Sequence, residues 1–305
     1  MKELLDRLIE KNKVLVKQGK VANYIPLLGN ADPKDLGICV IDSLGNLYSS
    51  GIYDKKFTIQ SISKVIALML AIMDHGEEEV FLKVGMESID EPFNSLYKLD
   101  LPHGHKPANP MINAGAIVTT SLIRGNGDEK LNRLLEVLRK ITNNENINYN
   151  KEVYQSEKTT GDRNRAIAFL LKSKGLIDGE IEEVLDTYFK QCSIEVDCQD
   201  IAKIGIFLAN RGRVLDTGEK LVDNRTISTL MAIMTTCGMY DFSGEYAIKV
   251  GIPSKSGVSG GILASVPNKY GIGVYGPALD KHGNSVAGYG ILKDLSQELE
   301  LSIFV

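Results

Sequence analysis

The chain has 305 residues, 43% of them hydrophobic, with 39 acidic and 35 basic side chains and a formal net charge of −4. That length suits one large domain with a substantial core. The charge balance lacks the basic field that nucleic acid demands, so no nucleic-acid partner is expected.

In chain order, Leu4, Leu5, Leu8 and Ile9 recur at helical spacing among charged residues. They predict an amphipathic helix over residues 2–18 ended by Gly19, not a signal peptide, and hence a cytoplasmic protein with no membrane partner. The four cysteines, Cys39, Cys192, Cys198 and Cys237, form no C-x-x-C pair and there are only four histidines. Neither a zinc site nor a disulfide framework is spelled, no metal or cofactor is expected, and scattered thiols fit a reducing compartment. After a loop with one tyrosine, Tyr24, residues 36–51 read as two short strands joined by a turn at Ser43–Asn46. From about residue 77 to 230 the pattern is mostly helical, clearest over 113–123, 128–142, 162–173, 180–191, 198–210 and 224–236. Asp128, Asp197 and Asn224 stand at the expected starts, and Gly175 and Gly212 past the expected ends. Residues 142–150 are a polar loop. Beyond Gly251 strands return: 261–266 and 270–275 form a hairpin across 267–269, and a helix over 285–301 closes the chain.

Strands at both ends with helices between predict an α+β fold. One antiparallel sheet is built from both chain ends with flanking helices, and an all-helical lobe is inserted. The expected division of this single domain is an α/β lobe of approximately 1–60 and 245–305 and a helical lobe of approximately 61–244, with a site in the groove between them.

The segment entering that groove is Phe57-Thr-Ile-Gln-Ser61-Ile-Ser-Lys64, followed by an unbroken apolar run from Val65 to Met73. A helix apolar on all sides is a buried one, and nine residues are too few to cross a membrane, which takes about 20. Ser61 and Lys64, three apart, share a helix face and can come within hydrogen-bond reach. A serine hydroxyl becomes a nucleophile when a base takes its proton, and a lysine becomes that base when burial lowers its pKa. By itself, Ser61 also reads as a helix N-cap. A second element, Lys255-Ser-Gly257, sits where the chain enters its last strands. S-x-x-K early with K-[ST]-G late is the pairing of penicilloyl serine transferases and class A β-lactamases, and a backbone N–H on that strand can join the N–H of Ser61 in an oxyanion hole. Their middle S-D-N element is missing. Read alone, Lys255 is a solvated lysine before a turn, Asn113 a helix cap, Glu157 a surface acid and Tyr240 a core tyrosine.

Several long segments together resemble the serine-dependent glutaminase family, β-lactamase-like amidohydrolases that convert glutamine to glutamate and ammonia. They are Gly19-Lys-Val-Ala-Asn-Tyr-Ile-Pro26, Gln60-Ser-Ile-Ser-Lys64, Asn109-Pro-Met-Ile-Asn-Ala-Gly-Ala-Ile117, Ser156-Glu-Lys-Thr-Thr-Gly-Asp-Arg-Asn164, Gln191-Cys-Ser-Ile-Glu-Val196, Cys237-Gly-Met-Tyr-Asp-Phe-Ser-Gly244 and Lys255-Ser-Gly-Val-Ser-Gly-Gly261. The likeness spans about residues 19–288. It implies Ser61 as nucleophile, Lys64 as base, Tyr24 at the reaction centre, and Asn113, Glu157, Asn164 and Tyr188 as substrate ligands. Tyr240 would act in both roles, and the backbone N–H of Val258 would pair with that of Ser61 on the oxyanion. It implies L-glutamine as substrate and a homo-oligomer, a dimer or tetramer. No segment resembles the ankyrin repeats of animal members. Tyr240 and Lys64 are both open as the acid for departing ammonia, and use of asparagine is undecided. A penicillin-binding enzyme is disfavoured by the absent signal peptide, and a non-catalytic binder by the intact Ser61, Lys64 and Tyr240.

Overall fold

Two hairpins from opposite ends of the chain share one sheet. In the computed structural model, which describes residues 1–90 and 106–304, helix α1 (Lys2–Asn12) precedes β1 (Gly37–Asp42) and β2 (Leu47–Gly51). Asp42 closes their turn by accepting from the N–H groups of Leu44 at 3.0 Å and Asn46 at 2.8 Å, a job short acidic side chains do well. Strands β5 (Ser254–Ser256), β6 (Gly261–Val266) and β7 (Tyr270–Tyr275) come from the far end. All neighbours are antiparallel in the order β2-β1-β7-β6-β5. The β1–β7 seam, with Ile38 opposite Val274 and Val40 opposite Ile272, is where the two ends meet.

Alternation decides what covers each face. Ile38, Val40, Ile262, Ala264, Ile272 and Val274 point to one side and pack with Leu5 and Leu8 of α1 and with Ile291, Leu292 and Leu295 of the last helix, α11 (Val286–Leu299). Cys39, Ile41 and Leu263 point to the other side, against Ile201, Ala202 and Ile206 of α8 (Cys198–Ala209). That helix lies directly on the strand backbone. A Cβ at Gly271 would meet the backbone nitrogen of Ile206 at 2.0 Å, so only glycine admits the approach.

The remaining helices run between these strands: α2 (Ser63–Lys83), α3 (Asn113–Leu122), α4 (Gly127–Thr142), α5 (Lys151–Thr160), α6 (Asp162–Ser173), α7 (Ile181–Cys192), α9 (Asn224–Cys237) and α10 (Ser243–Lys249). As its unbroken apolar run predicts, α2 is buried from Ser63 to Ile72, although Met73 emerges to solvent. Its geometry breaks at Gly76 (φ 83°), a backbone that glycine tolerates.

Most predicted elements agree with the structure to within two residues at either end, and the exceptions are instructive. Asp128 does not cap α4. Asn126 does, in a capping box with Glu129. Asp223, not Asn224, caps α9, while Asp197 caps α8 as expected. Helix α5 was not among the predicted stretches, because of its ten residues only Val153 and Glu157 are buried, too few to make an apolar period. A two-stranded pairing of β3 (Phe57–Thr58) with β4 (Glu195–Val196) was also unforeseen, since two residues carry no alternation. The part of the predicted helical stretch that falls on residues 91–105 lies outside the described residues. No helix among the described residues is long and apolar enough to cross a membrane.

Candidate active site

The β3–β4 pairing sets up the centre of the site. Ile59 donates to the carbonyl of Ile194 at 2.7 Å, which pins the chain just before Gln60. Gln60 then takes a left-handed backbone, φ 47°, an uncommon conformation for a residue with a Cβ. Ser61 follows in a 3-10 turn over Gln60–Ile62, and α2 begins at Ser63. The predicted single helix is thus a sharp turn carrying Ser61, continued by the α-helix that carries Lys64. Edge strand β5 ends against this turn. A Cβ at Gly257 would lie 2.9 Å from the Ile59 carbonyl oxygen and 3.5 Å from the Ser61 nitrogen, so the glycine lets the two backbones touch.

Ser61 opens into a small polar pocket with room for water over about 70 Å³. Of the residues singled out in the sequence, Tyr24, Ser61, Asn113, Glu157, Asn164 and Tyr188 all line it. They arrive from the 19–30 loop, the Ser61 turn, and helices α3, α5, α6 and α7. Tyr24 stands at its rim, 54% exposed, whereas Ser61 is 7% exposed.

Lys64, Tyr240 and Val258 stand behind the lining. Lys64 is 0% exposed. Its amine donates to Asn113 Oδ1 at 2.7 Å and to the Met111 carbonyl at 3.2 Å, and among the described residues none of its hydrogen bonds runs to Ser61. Burial pushes its pKa down to about 8, against the opposing pull of Cys192 and Glu157. Asn113 is the first helical residue of α3, not its cap, which frees its amide to link Lys64 to Asn164 Oδ1 at 3.0 Å. Tyr240, at φ 58°, donates its hydroxyl to the Ser256 carbonyl at 3.2 Å. Burial raises its pKa to about 12, and contacts with Ser61 and Ser256 partly offset the rise. Val258 packs with Tyr240 and Ile25 in a small apolar cluster beside Ser61.

Glu157 is the pocket's unusual charge. The carboxylate is 6% exposed, and among the described residues its Oε2 accepts no hydrogen bond. Burial raises its pKa to about 8, although Gln60 and Lys64 pull the other way. Its helix α5, with little apolar surface, is held by ions: Asp186 of α7 bonds Tyr154 and Lys158 of α5, and Lys190 of its own helix at 2.8 Å. Those bonds, working against desolvation, pull Asp186 down to about 2.

Sequence reasoning did not select Gln60, Thr160, Arg163 or Cys192, which also line the pocket. Each adjoins a residue that was selected, or stands in a quoted segment, and adjacency was the available signal. Lys255, readable as solvated, is instead wholly buried on β5.

A buried Ser-x-x-Lys at the mouth of a central helix, beside a five-stranded antiparallel sheet with Lys-Ser-Gly on its edge, defines the β-lactamase-like class. A family model described as Glutaminase matches residues 19–304. The chain is 59% identical over 302 residues to the glutaminase of Clostridioides difficile (strain 630), covering 99% of this chain and 98% of that one. A crystal structure of a probable glutaminase from Bacillus subtilis superposes with a TM-score of 0.93 at 39% identity, over 99% of this chain and 97% of the other. Another is a covalent complex between the Bacillus subtilis glutaminase and 5-oxo-L-norleucine, formed by reaction with 6-diazo-5-oxo-L-norleucine; it matches with a TM-score of 0.89 at 40% identity, over 99% of each chain. The chain belongs to the glutaminase family, a family of enzymes.

Proposed function

We propose that this pocket hydrolyses the side-chain amide of L-glutamine, yielding L-glutamate and ammonia through a glutamyl ester on Ser61. The observation that carries the reading is Glu157. A carboxylate with an unpaired oxygen, buried in a polar pocket, is costly unless a cation meets it, and the α-ammonium of an amino acid is such a cation. The amides of Asn113 and Asn164 and the phenol of Tyr188 offer neutral donors for the α-carboxylate. With both ends held, the side-chain amide reaches Ser61.

The steps then balance. Lys64, as neutral amine, takes the Ser61 proton while Oγ bonds to the amide carbon. For this transfer the Lys64 amine turns from its bonds to Asn113 and Met111 toward Ser61, since catalytic contacts commonly tighten only with substrate bound. The N–H groups of Ser61 and Val258 hold the resulting oxyanion, each such donor contributing about 3 kcal/mol. Tyr240 or Lys64 protonates the nitrogen, the C–N bond breaks and ammonia leaves. Water adds to the ester carbon and gives its proton to whichever of Tyr240 and Lys64 protonated the nitrogen. Lys64 then returns a proton to Oγ as the C–Oγ bond breaks, so glutamate departs with Ser61 restored. The covalent complex of the Bacillus subtilis enzyme with a glutamine-shaped probe supports the ester step. The buried, unpaired state of all four cysteines supports a reducing, cytoplasmic setting.

A coupled assay of ammonia and glutamate tests the proposal. Glutamine is expected to yield the two products one to one. Asparagine, one methylene shorter, leaves its amide carbon about 1 Å or more short of Ser61 and is expected to be turned over at least ~100-fold less efficiently. No ammonia from glutamine would sink the reading.

The pH dependence has a definite sign. Below about 8 Glu157 carries a proton and cannot balance an ammonium, and Lys64 carries one and cannot act as base. Above that value both hindrances are removed. The kcat/KM for glutamine is therefore expected to climb from about pH 7 to about pH 9, and a profile that falls over this range contradicts the assignment.

A further inference from the structure

Lys255 takes no part in these steps, yet it is the second wholly buried lysine beside the site, 0% exposed on edge strand β5. Among the described residues no carboxylate pairs with it. Its amine donates to the Ser256 carbonyl at 2.7 Å and to the Gly238 carbonyl at 3.0 Å, and its nitrogen lies 4.2 Å from the centroid of the Tyr240 ring. Both carbonyls belong to the frame of Tyr240. The Ser256 oxygen also accepts from the Tyr240 hydroxyl at 3.2 Å, and the Gly238 oxygen also accepts from the Ser256 N–H at 3.2 Å. Tyr240 needs such a frame, because its backbone is left-handed, a conformation that persists only where its surroundings over-determine it.

We propose that Lys255 is a positioning residue for Tyr240, tying the 238–240 turn to strand β5 so that the phenol hydroxyl stays against Ser61. The proposal rests on the reading of Tyr240 as a proton-transfer group. Lys255 is not among the residues lining the pocket, so its effect falls on kcat and not on substrate affinity. A lysine merely filling the core would act on folding without regard to Tyr240.

The test is a double-mutant cycle of Lys255→Met, which keeps the stem but donates nothing, with Tyr240→Phe. Rates are normalised to active sites counted by mass after complete labelling with 6-diazo-5-oxo-L-norleucine. Lys255→Met is expected to lower kcat about 100-fold with KM within about threefold, the scale of a displaced acid–base group. In the Tyr240→Phe background the same change is expected to cost less than about threefold, since the group it holds has gone. Should Lys255→Met not fold, Lys255→Gln, which retains a donor, enters the same cycle. Losses that multiply across the two sites, a kcat for Lys255→Met within about threefold of wild type, a rise in KM alone, or no labelled sites in either Lys255 variant would overturn the proposal. Wild-type protein that releases no ammonia would instead overturn the glutamine reading itself.

Discussion

Replacing Ser61 by alanine is expected to reduce ammonia release from glutamine by roughly 10⁴-fold or more with the fold retained, the scale seen when a catalytic nucleophile is removed. The argument is local. Ser61 is the hydroxyl that opens into the pocket from a strained turn, with the amine of Lys64 buried one turn on. Deleting one small oxygen leaves no cavity of consequence in the Gln60–Ile62 turn, so thermal unfolding should be almost unchanged. Steady-state kinetics with a circular-dichroism melt gives both readings. Turnover near that of wild type would mean that another group attacks the amide.

The second large effect belongs to Glu157. Glu157→Gln keeps the shape of the side chain and removes its charge. Truncating one partner of a buried charge pair costs about 2–5 kcal/mol, so the KM for glutamine is expected to rise by about 30-fold to 4,000-fold, at about 1.4 kcal/mol per factor of ten. A secondary effect has its own sign. The Glu157 carboxylate raises the pKa of Lys64, so its loss lowers that pKa and moves the rising limb of the pH profile toward lower pH. An unchanged KM would remove Glu157 from the substrate's ammonium. A limb that moves upward would mean that Lys64 does not feel this carboxylate.

Much of this arrangement was legible before any coordinates. The apolar run after Lys64 announced a buried helix, and burial announced a lysine with a lowered pKa. The short strand-like runs within 36–51 and at 261–266 and 270–275 announced strands at both ends of the chain. Local patterns of that kind are written in consecutive residues, so reading them needs no knowledge of what lies across the core. The long segments resembling serine-dependent glutaminases carried the candidate site residues together.

Other features had no local trace. The left-handed backbones of Gln60 and Tyr240 arise where distant segments force a turn, at residue types that do not favour it. Glu157 reads as a surface acid because α5 is polar on nearly every side. It is buried because Asp186, on a different helix, holds α5 down through Tyr154 and Lys158. Asn113 reads as a cap because helix starts favour asparagine, yet its amide is turned to Lys64 and Asn164.

By itself the sequence determined the strands and helices, the buried Ser-x-x-Lys and the kinship, because these depend on periodicity and on neighbours a few residues apart. Only the tertiary structure decided that Lys64 bonds Asn113 and Met111 in place of Ser61, and that Lys255 lies buried beneath Tyr240. The Lys64–Asn113 and Lys255–Gly238 bonds join residues 49 and 17 positions apart, and no property of either residue alone specifies such a contact.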